Sequence, residues 1–144
     1  MNPLCVAAVA ALGSMALTIP AVSLAHHSAS AEFQTSVSRD ATGVLTKVEM
    51  INPHSYLHFD IKNAAGKAEP WSFLSLTPAA LRAAGISVRD NLKIGATYRI
   101  VYNPARSKSS GNLGILSSIV LPDGRMVSFG SQENLDAARE RLKK

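Results

Sequence analysis

The feature that most constrains the fold of this chain is a change of hydrophobic period at Thr77-Pro78. Before this point apolar and polar residues alternate, as in β-strands, whereas the stretch that follows, AALRAA, is typical of a short α-helix. Thr77 suits the N-cap, Pro78 the first helical position and Gly85 the end of the helix. Beyond Gly85 the strand period returns. The sequence therefore predicts a β-rich domain with one short helix inserted between strands.

Three segments with strand character precede this helix, at residues 42–51, 54–62 and 70–76. Asn52-Pro53 separates the first from the second, and a turn at residues 63–67 separates the second from the third. The residues predicted to share one face within each segment are Val44, Thr46, Val48 and Met50; Leu57, Phe59 and Ile61; and Trp71 and Phe73. On the second segment, His54, Tyr56, His58 and Asp60 fall on the opposite face.

Further strands and a last helix follow the inserted helix. The segment TYRIVYNP places Tyr98, Ile100 and Tyr102 on one side, and ILSSIVLPDGRMVSF is typical of a hairpin that turns at residues 122–124. A basic Ser/Gly loop at residues 105–114 lies between them. The final helix is predicted to be capped by Ser131 and to run to Lys143, with Leu135, Ala138 and Leu142 as its apolar stripe.

The order β-β-β-α-β-β, followed by a late helix, favours a small OB-like Greek-key β-barrel. The OB-fold is a small five-stranded Greek-key barrel, and it carries its helix between the third and fourth strands, as here. A plain β-sandwich and an α+β roll are the alternatives, because strand propensity does not determine strand pairing. With 144 residues the chain is long enough for one domain with a hydrophobic core.

The N-terminal segment is predicted to be an export signal that directs the protein to the periplasm or outside the cell. Residues 4–24 carry no charged side chain, Pro20 breaks the helix, and Ser23-Leu24-Ala25 has the small residues of a cleavage site. An uncleaved membrane anchor is the alternative, although Gly13 and Pro20 make a poor permanent span. The predicted organisation is a signal peptide at 1–25, a polar leader at 26–41 and one domain at 42–144, with no membrane span after cleavage.

Two cleavage sites compete. A cut after Ala25 makes His26 the first residue, whereas a cut after Ala31 removes both His26 and His27. The distance from Pro20 favours the cut after Ala25, because signal cleavage usually follows the helix break by a few residues. We therefore expect the exported chain to begin with a histidine.

Metal binding is the first functional hypothesis. The only cysteine, Cys5, lies in the signal, so the exported chain has no thiolate ligand, and its four histidines are the only strong nitrogen ligands. At the N-terminus, His26 offers its α-amino group and imidazole to one ion. His54 or His27 would add a third nitrogen. Three such nitrogens favour copper, and zinc is the alternative metal.

Structural interpretations of the histidines stand beside this hypothesis. His26 and His27 are also explained as an incidental pair near a cleavage site, and His54 as a turn residue after proline. His58 is interpreted as a structural residue on a polar strand face. Four residues along a strand place the Cα atoms of His54 and His58 about 13 Å apart, too far to share a metal without a bend in the backbone.

Other function classes find less support. The chain has no Walker, Rossmann or G-x-S-x-G pattern and no paired carboxylates, so it is not predicted to be an enzyme. The net charge of +5 is compatible with nucleic acid, but export makes that partner the least favoured. The alternative to metal binding is an interaction or accessory module of the cell envelope that uses Trp71, Arg106 and Lys108. Aromatic residues at strand spacing are more often core, and a basic loop is more often only solvated.

The motifs AHHS, GVLTKVEMINPHSYLHFDI, SLTPAALRAAGI, NPAR and DGR, together with Trp71, resemble a family of small exported bacterial proteins known only as a domain of unknown function. The resemblance extends over essentially the whole exported chain. It implies an exported, compact β-rich domain, and it maps the family's histidine pattern onto His26, His27 and His54. It implies no activity.

Overall fold

A computed structural model describes residues 29–130 and 132–143. The predicted signal peptide, residues 1–25, and the predicted ligands His26 and His27 lie outside the described residues. The elements are α1 (Ala29–Glu32), β1 (Arg39–Met50), β2 (Ser55–Lys62), β3 (Ala68–Leu74), α2 (Pro78–Ala83), β4 (Thr97–Pro104), β5 (Leu113–Val120), β6 (Met126–Ser128) and α3 (Gln132–Leu142). A single turn of 3-10 helix, Lys108–Ser110, lies between β4 and β5. No helix within these two described ranges is long and apolar enough to cross a bilayer.

The strands close into a barrel. β1 pairs antiparallel with β2 and β4, β2 pairs with β3, and β4 pairs with β5. A parallel pairing of β3 with β5, in which Ser72 lies opposite Leu113, completes the ring, and β6 extends the sheet beyond β5. The inserted helix α2 joins β3 to β4. This topology confirms the predicted OB-like Greek-key barrel with a short inserted helix and a C-terminal helix.

The barrel interior is filled by the apolar faces predicted for β2, β3 and β4. Leu57, Phe59, Phe73, Tyr98 and Ile100 are almost completely buried. Phe59 makes edge-to-face contacts with both Phe73 and Tyr98, at ring-centroid distances of 5.8 and 6.2 Å. Alternation along β2, β3 and β4 therefore accounts for these five buried side chains.

The face predicted for the first strand is wrong. Leu45 pairs with Phe59 and Lys47 pairs with His58, so Thr46 is the extra residue of a β-bulge. The bulge reverses the alternation within the strand, because it shifts every later side chain by one position. Leu45 is consequently fully buried, whereas Val44, which was predicted to share a face with Val48, is 38% exposed.

Local sequence signals correctly predicted the positions of the two longer helices, α2 and α3. The Thr77 hydroxyl oxygen accepts a hydrogen bond from the backbone N–H of Ala80 at 3.1 Å, and α2 buries Leu81 completely. Gly85, just past the helix, has a φ of 72°, a left-handed conformation that favours glycine. In α3 Ala138 is buried as predicted, while the predicted cap Ser131 and the Leu135 side chain lie outside the described residues.

The polar leader is folded against the barrel. Phe33 is 1% exposed and forms an isolated bridge with Ala105, at the end of β4. The backbone N–H of Gln34 donates to the Pro104 carbonyl at 2.9 Å, and the Asn103 side-chain amide donates to the Val37 carbonyl at 2.8 Å. The leader therefore continues the wall of the barrel, and β1 begins at Arg39 rather than at the predicted Thr42.

Gly114 allows β5 to approach both of its neighbours. A Cβ atom at this position would lie 2.9 Å from Cδ2 of Tyr102 and 3.1 Å from Cδ1 of Phe73. Real Cβ atoms almost never come as close as the first of these distances, so any larger residue would push the rings apart. The aromatic rings fill the barrel because one position in the closing strand has no side chain.

Candidate functional site

His54 lies in the four-residue connection between β1 and β2. Met50 and Ser55 form the last pair of the hairpin, so residues 51–54 project beyond the sheet. The imidazole of His54 is exposed, and none of the hydrogen bonds or ion pairs found among residues 29–130 and 132–143 involves it. Both ring nitrogens of His54 are therefore available to a ligand, at one end of the barrel.

A cavity of about 450 Å³ opens beside His54, and we call it the mouth cavity. Its wall is mainly apolar, with Phe33, Leu74 and Ile115 among the lining residues. The leader contributes Ala29 and Glu32, and the connection between β1 and β2 contributes His54. A volume of this size and an apolar wall with a few polar groups are typical of a small-ligand site.

The leader is fixed at the mouth cavity by the loop between β4 and β5. The backbone N–H of Arg106 donates to the Glu32 carbonyl at 2.9 Å, and its Nε donates to the Ser30 carbonyl at 2.8 Å. Burial of Phe33 holds the same segment from the other side. Ala29, the first described residue, is thereby placed on the cavity wall.

A buried hydroxyl adds a polar group to this wall. Ser75 lines the mouth cavity and is 6% exposed, and its Oγ has no hydrogen-bond partner within the described part of the chain. Buried polar atoms in folded proteins are nearly always hydrogen-bonded. The Ser75 hydroxyl oxygen is thus a buried, unpartnered atom at the cavity wall with almost no exposed surface, whereas the imidazole of His54 is exposed.

His58 has a different environment, on the outside of the barrel. Its Nδ1 lies 2.9 Å from the Ser72 hydroxyl, and its Nε2 lies 3.1 Å from a carboxylate oxygen of Glu49. Lys47 forms an ion pair with the same carboxylate. Hydrogen bonds from Lys47 and then from His58 lower the pKa of Glu49. We call Lys47, Glu49, His58 and Ser72 the outer ladder, because they cross β1, β2 and β3.

The ionised carboxylate determines the direction of these hydrogen bonds. A carboxylate only accepts, so Nε2 of His58 is the donor, and the Nδ1 of a neutral ring then accepts from the Ser72 hydroxyl. Serine, histidine and glutamate also occur in this order in hydrolytic triads. Here the backbone N–H of Ser72 donates to the Asn112 carbonyl at 2.9 Å, next to the pairing of β3 with β5, and Ser72 does not line the mouth cavity. The outer ladder is a cross-strand network, which agrees with a structural role for His58.

Sequence reasoning did not identify the outer ladder or the role of the leader. Glu49 and His58 lie on adjacent strands, and a correct register would have paired them, but the bulge at Thr46 hides that register. Glu32 was not among the predicted site residues. The apolar character of Phe33 within a polar leader was the signal that could have located the leader's attachment point.

The three residues predicted to form an interaction surface, Trp71, Arg106 and Lys108, have different environments. The indole of Trp71 is half-buried, stacks on Phe73 at 5.7 Å and contacts Tyr102 edge-to-face at 5.4 Å, so it belongs largely to the core. Arg106 is exposed, yet its side chain is used to hold Ser30. Lys108 is exposed on the 3-10 turn. Of the three residues, Lys108 is the one whose side chain makes no hydrogen bond or ring contact among the described residues.

The described residues alone do not form a metal site. Among positions 29–130 and 132–143, no group of three His, Cys, Asp or Glu side chains could hold an ion together. The predicted site includes His54 from this part of the chain, and its other nitrogens belong to His26 and His27. The metal hypothesis therefore depends on whether the N-terminal histidines reach the mouth cavity.

Comparison with known proteins gives one match. Residues 14–114 match the model of a family described as Family of unknown function (DUF6152). The matched region includes all the candidate residues, namely His26, His27, His54, Trp71, Arg106 and Lys108. No curated protein and no solved structure matches the chain.

Proposed function

We propose that this chain, which belongs to the Family of unknown function (DUF6152), is an exported small protein that binds a copper ion at the mouth cavity. His26, as the first residue after cleavage, supplies its α-amino nitrogen and imidazole. His54 supplies a third nitrogen, and His27 is the alternative source. The protein binds the ion and is not proposed to catalyse a reaction.

The observation that carries this proposal is that Ala29 and His54 line the same cavity. Ala29 follows His26 by three positions. Three residues of extended chain span at most roughly 10–11 Å. Along the chain, His26 is therefore three residues from a fixed point on the wall of the cavity that His54 borders.

The donor set explains the choice of metal. An exported chain without cysteine has no thiolate for a soft ion, so imidazole and amine nitrogens are its strongest ligands. Cu²⁺ has the highest affinity of the common divalent ions for such ligands, and it accepts a planar arrangement of nitrogens. Zinc binds the same ligand types and is the competitor that a titration has to include.

Titration of defined N-termini tests the proposal. One protein begins at His26 with a free α-amino group, and its matched control carries an acetyl group on that nitrogen, so that both imidazoles remain while the amine can no longer bind the ion. We expect the first protein to bind Cu²⁺ at least roughly tenfold more tightly, because the amine and the imidazole of one residue chelate together. Intact-mass analysis of the exported protein shows which N-terminus occurs naturally.

Two histidine variants complete the test. His54→Ala should weaken Cu²⁺ binding by roughly tenfold or more, whereas His58→Ala should leave it unchanged because His58 lies in the outer ladder. Equal affinities for the two N-termini and for His54→Ala would overturn the proposal. The non-metal alternative, an envelope interaction or accessory module that uses Trp71, Arg106 and Lys108, would then be the hypothesis to pursue.

A further inference from the structure

We propose that Glu32 supplies a carboxylate ligand to the same ion and makes the site selective for Cu²⁺ over Cu⁺. This inference rests on the proposed function, because it adds a ligand to the site formed by His26 and His54. Glu32 was not among the ligands predicted from the sequence. Its position in the folded leader identifies it.

The backbone of Glu32 is fixed on the wall of the cavity that His54 also lines. Glu32 ends α1 and lines the mouth cavity together with His54. Its carbonyl accepts the hydrogen bond from Arg106, and the next residue, Phe33, is buried in the barrel. Only the side-chain torsions of Glu32 therefore have to be ordered when an ion binds, which lowers the entropic cost of adding this ligand.

The charge around the cavity also favours a cation. The chain carries a net charge of +5, yet no Lys or Arg is among the described residues that line the mouth cavity, and Glu32 is the one carboxylate there. None of the ion pairs among the described residues uses Glu32. Glu49, in contrast, is held by Lys47 and His58. An entering cation therefore meets an available carboxylate on the cavity wall, while the Arg106 guanidinium, which is fixed on the Ser30 carbonyl, is not among the residues that line the cavity.

The chemistry of the available ligands explains the choice of oxidation state. Carboxylate oxygen is a hard ligand that suits divalent ions, whereas Cu⁺ prefers thiolate and thioether sulfur. The thioether of Met50, at the base of the same hairpin, accepts a hydrogen bond from Ser55 and does not line the mouth cavity. A site of amine, imidazole and carboxylate thus stabilises Cu²⁺ and offers little to Cu⁺.

Parallel measurements on the protein that begins at His26 test this inference. Affinities for Cu²⁺ in air and for Cu⁺ under reductant are measured by competition with chelators, for wild type, Glu32→Gln and Glu49→Gln. We expect Glu32→Gln to weaken Cu²⁺ binding by roughly tenfold and Cu⁺ binding by less than about twofold. Glu49→Gln is the matched control and should change neither affinity.

The possible outcomes separate the two proposals. If the wild type and His54→Ala bind Cu²⁺ equally weakly, the copper site itself is wrong. If the wild type binds Cu²⁺ tightly and Glu32→Gln binds it equally well, the site stands and the role of Glu32 is overturned. If Glu32→Gln weakens Cu²⁺ and Cu⁺ binding by the same factor, Glu32 acts through charge or folding, and the selectivity argument fails.

Discussion

His54 and His58 lie four residues apart on the same hairpin, and their surroundings are opposite. His58 contacts Ser72 and Glu49 through its two ring nitrogens and is part of a polar network across three strands. His54 is exposed at the hairpin end, and both of its nitrogens are available. The difference shows that hydrogen-bond partners, rather than residue type, decide whether a histidine can act as a ligand.

The outer ladder and the mouth cavity also differ in the contacts that fix their geometry. The outer ladder lies on paired strands, so its geometry follows from the sheet. The mouth cavity is formed where the leader meets the hairpin end, and the leader is held by Phe33 and by the loop that contains Arg106. Substitutions that release the leader should therefore affect the mouth cavity and leave the outer ladder intact.

The largest expected effect is that of Phe33→Ala. Removal of this buried ring should lower the free energy of unfolding by about 3–5 kcal/mol, since the ring is 1% exposed. It should also weaken Cu²⁺ binding in any molecules that remain folded. Denaturant unfolding measures the first effect, with Ile94→Ala, at a 61% exposed position, as a control expected to change stability by less than about 0.5 kcal/mol. A loss no larger than that of the control would show that the leader is not attached as described.

The second-largest expected effect is on the free energy of unfolding of the two histidine variants, which should fall more in His58→Ala than in His54→Ala. His58→Ala should lower the free energy of unfolding by about 1–2 kcal/mol, because Ser72 and Glu49 lose their partner. His54→Ala should lower it by less than about 0.5 kcal/mol. Urea unfolding of both variants without metal makes the comparison. A larger loss in His54→Ala would mean that His54 has a structural role and is a poor candidate for a ligand.

A smaller effect is expected in the pH dependence of stability. The pKa of Glu49 lies below its usual value of 4.5 in the folded protein, because the hydrogen bonds from Lys47 and His58 stabilise the carboxylate. The unfolded chain therefore binds the proton first as the pH falls, and the stabilisation present above pH 4.5 is lost as the pH drops through the folded pKa. In Glu49→Gln the urea midpoint should fall less between pH 7 and pH 3 than in wild type. An identical fall in both proteins would count against the outer ladder.

The smallest effect concerns the attachment of the leader. Arg106→Ala removes the hydrogen bond to the Ser30 carbonyl and should cost about 1 kcal/mol or less. Its clearer signature is faster amide hydrogen exchange at Phe33, whose N–H donates to the Ala29 carbonyl in α1. Lys108→Ala, on the same loop, is the control and should leave this exchange unchanged. Equal exchange rates in both variants would show that Arg106 does not fasten α1.

Much of the barrel could be predicted because its signals are local. Thr77, Pro78 and Gly85 define the inserted helix, and alternation identifies the inner faces of β2, β3 and β4. The first strand was predicted incorrectly because a bulge depends on the pairing with β2, which no local pattern records. The outer ladder was not predicted for the same reason, because it too depends on the pairing between strands.

The candidate site could be predicted only in part. His54 follows from the interruption at Asn52-Pro53, and the structure places it, exposed, at the end of the hairpin. Glu32 was missed because it reaches the mouth cavity through long-range contacts of the leader with residues 104–106. A polar segment with a single buried ring resembles a flexible tail when only its composition is considered. The roles of His26 and His27 stay predictions.

The parallel pairing of β3 with β5 also governs the order in which the chain can fold. Ser72 meets Leu113, so the ring closes only after a segment from late in the chain returns to the first three strands. Contacts so distant in sequence form slowly, and we expect the meander of β1, β2 and β3 to precede closure. A chain truncated before Leu113 would expose one unpaired edge on β3 and another on β4. Exposed edges recruit other chains, so such fragments should aggregate rather than accumulate as open monomers.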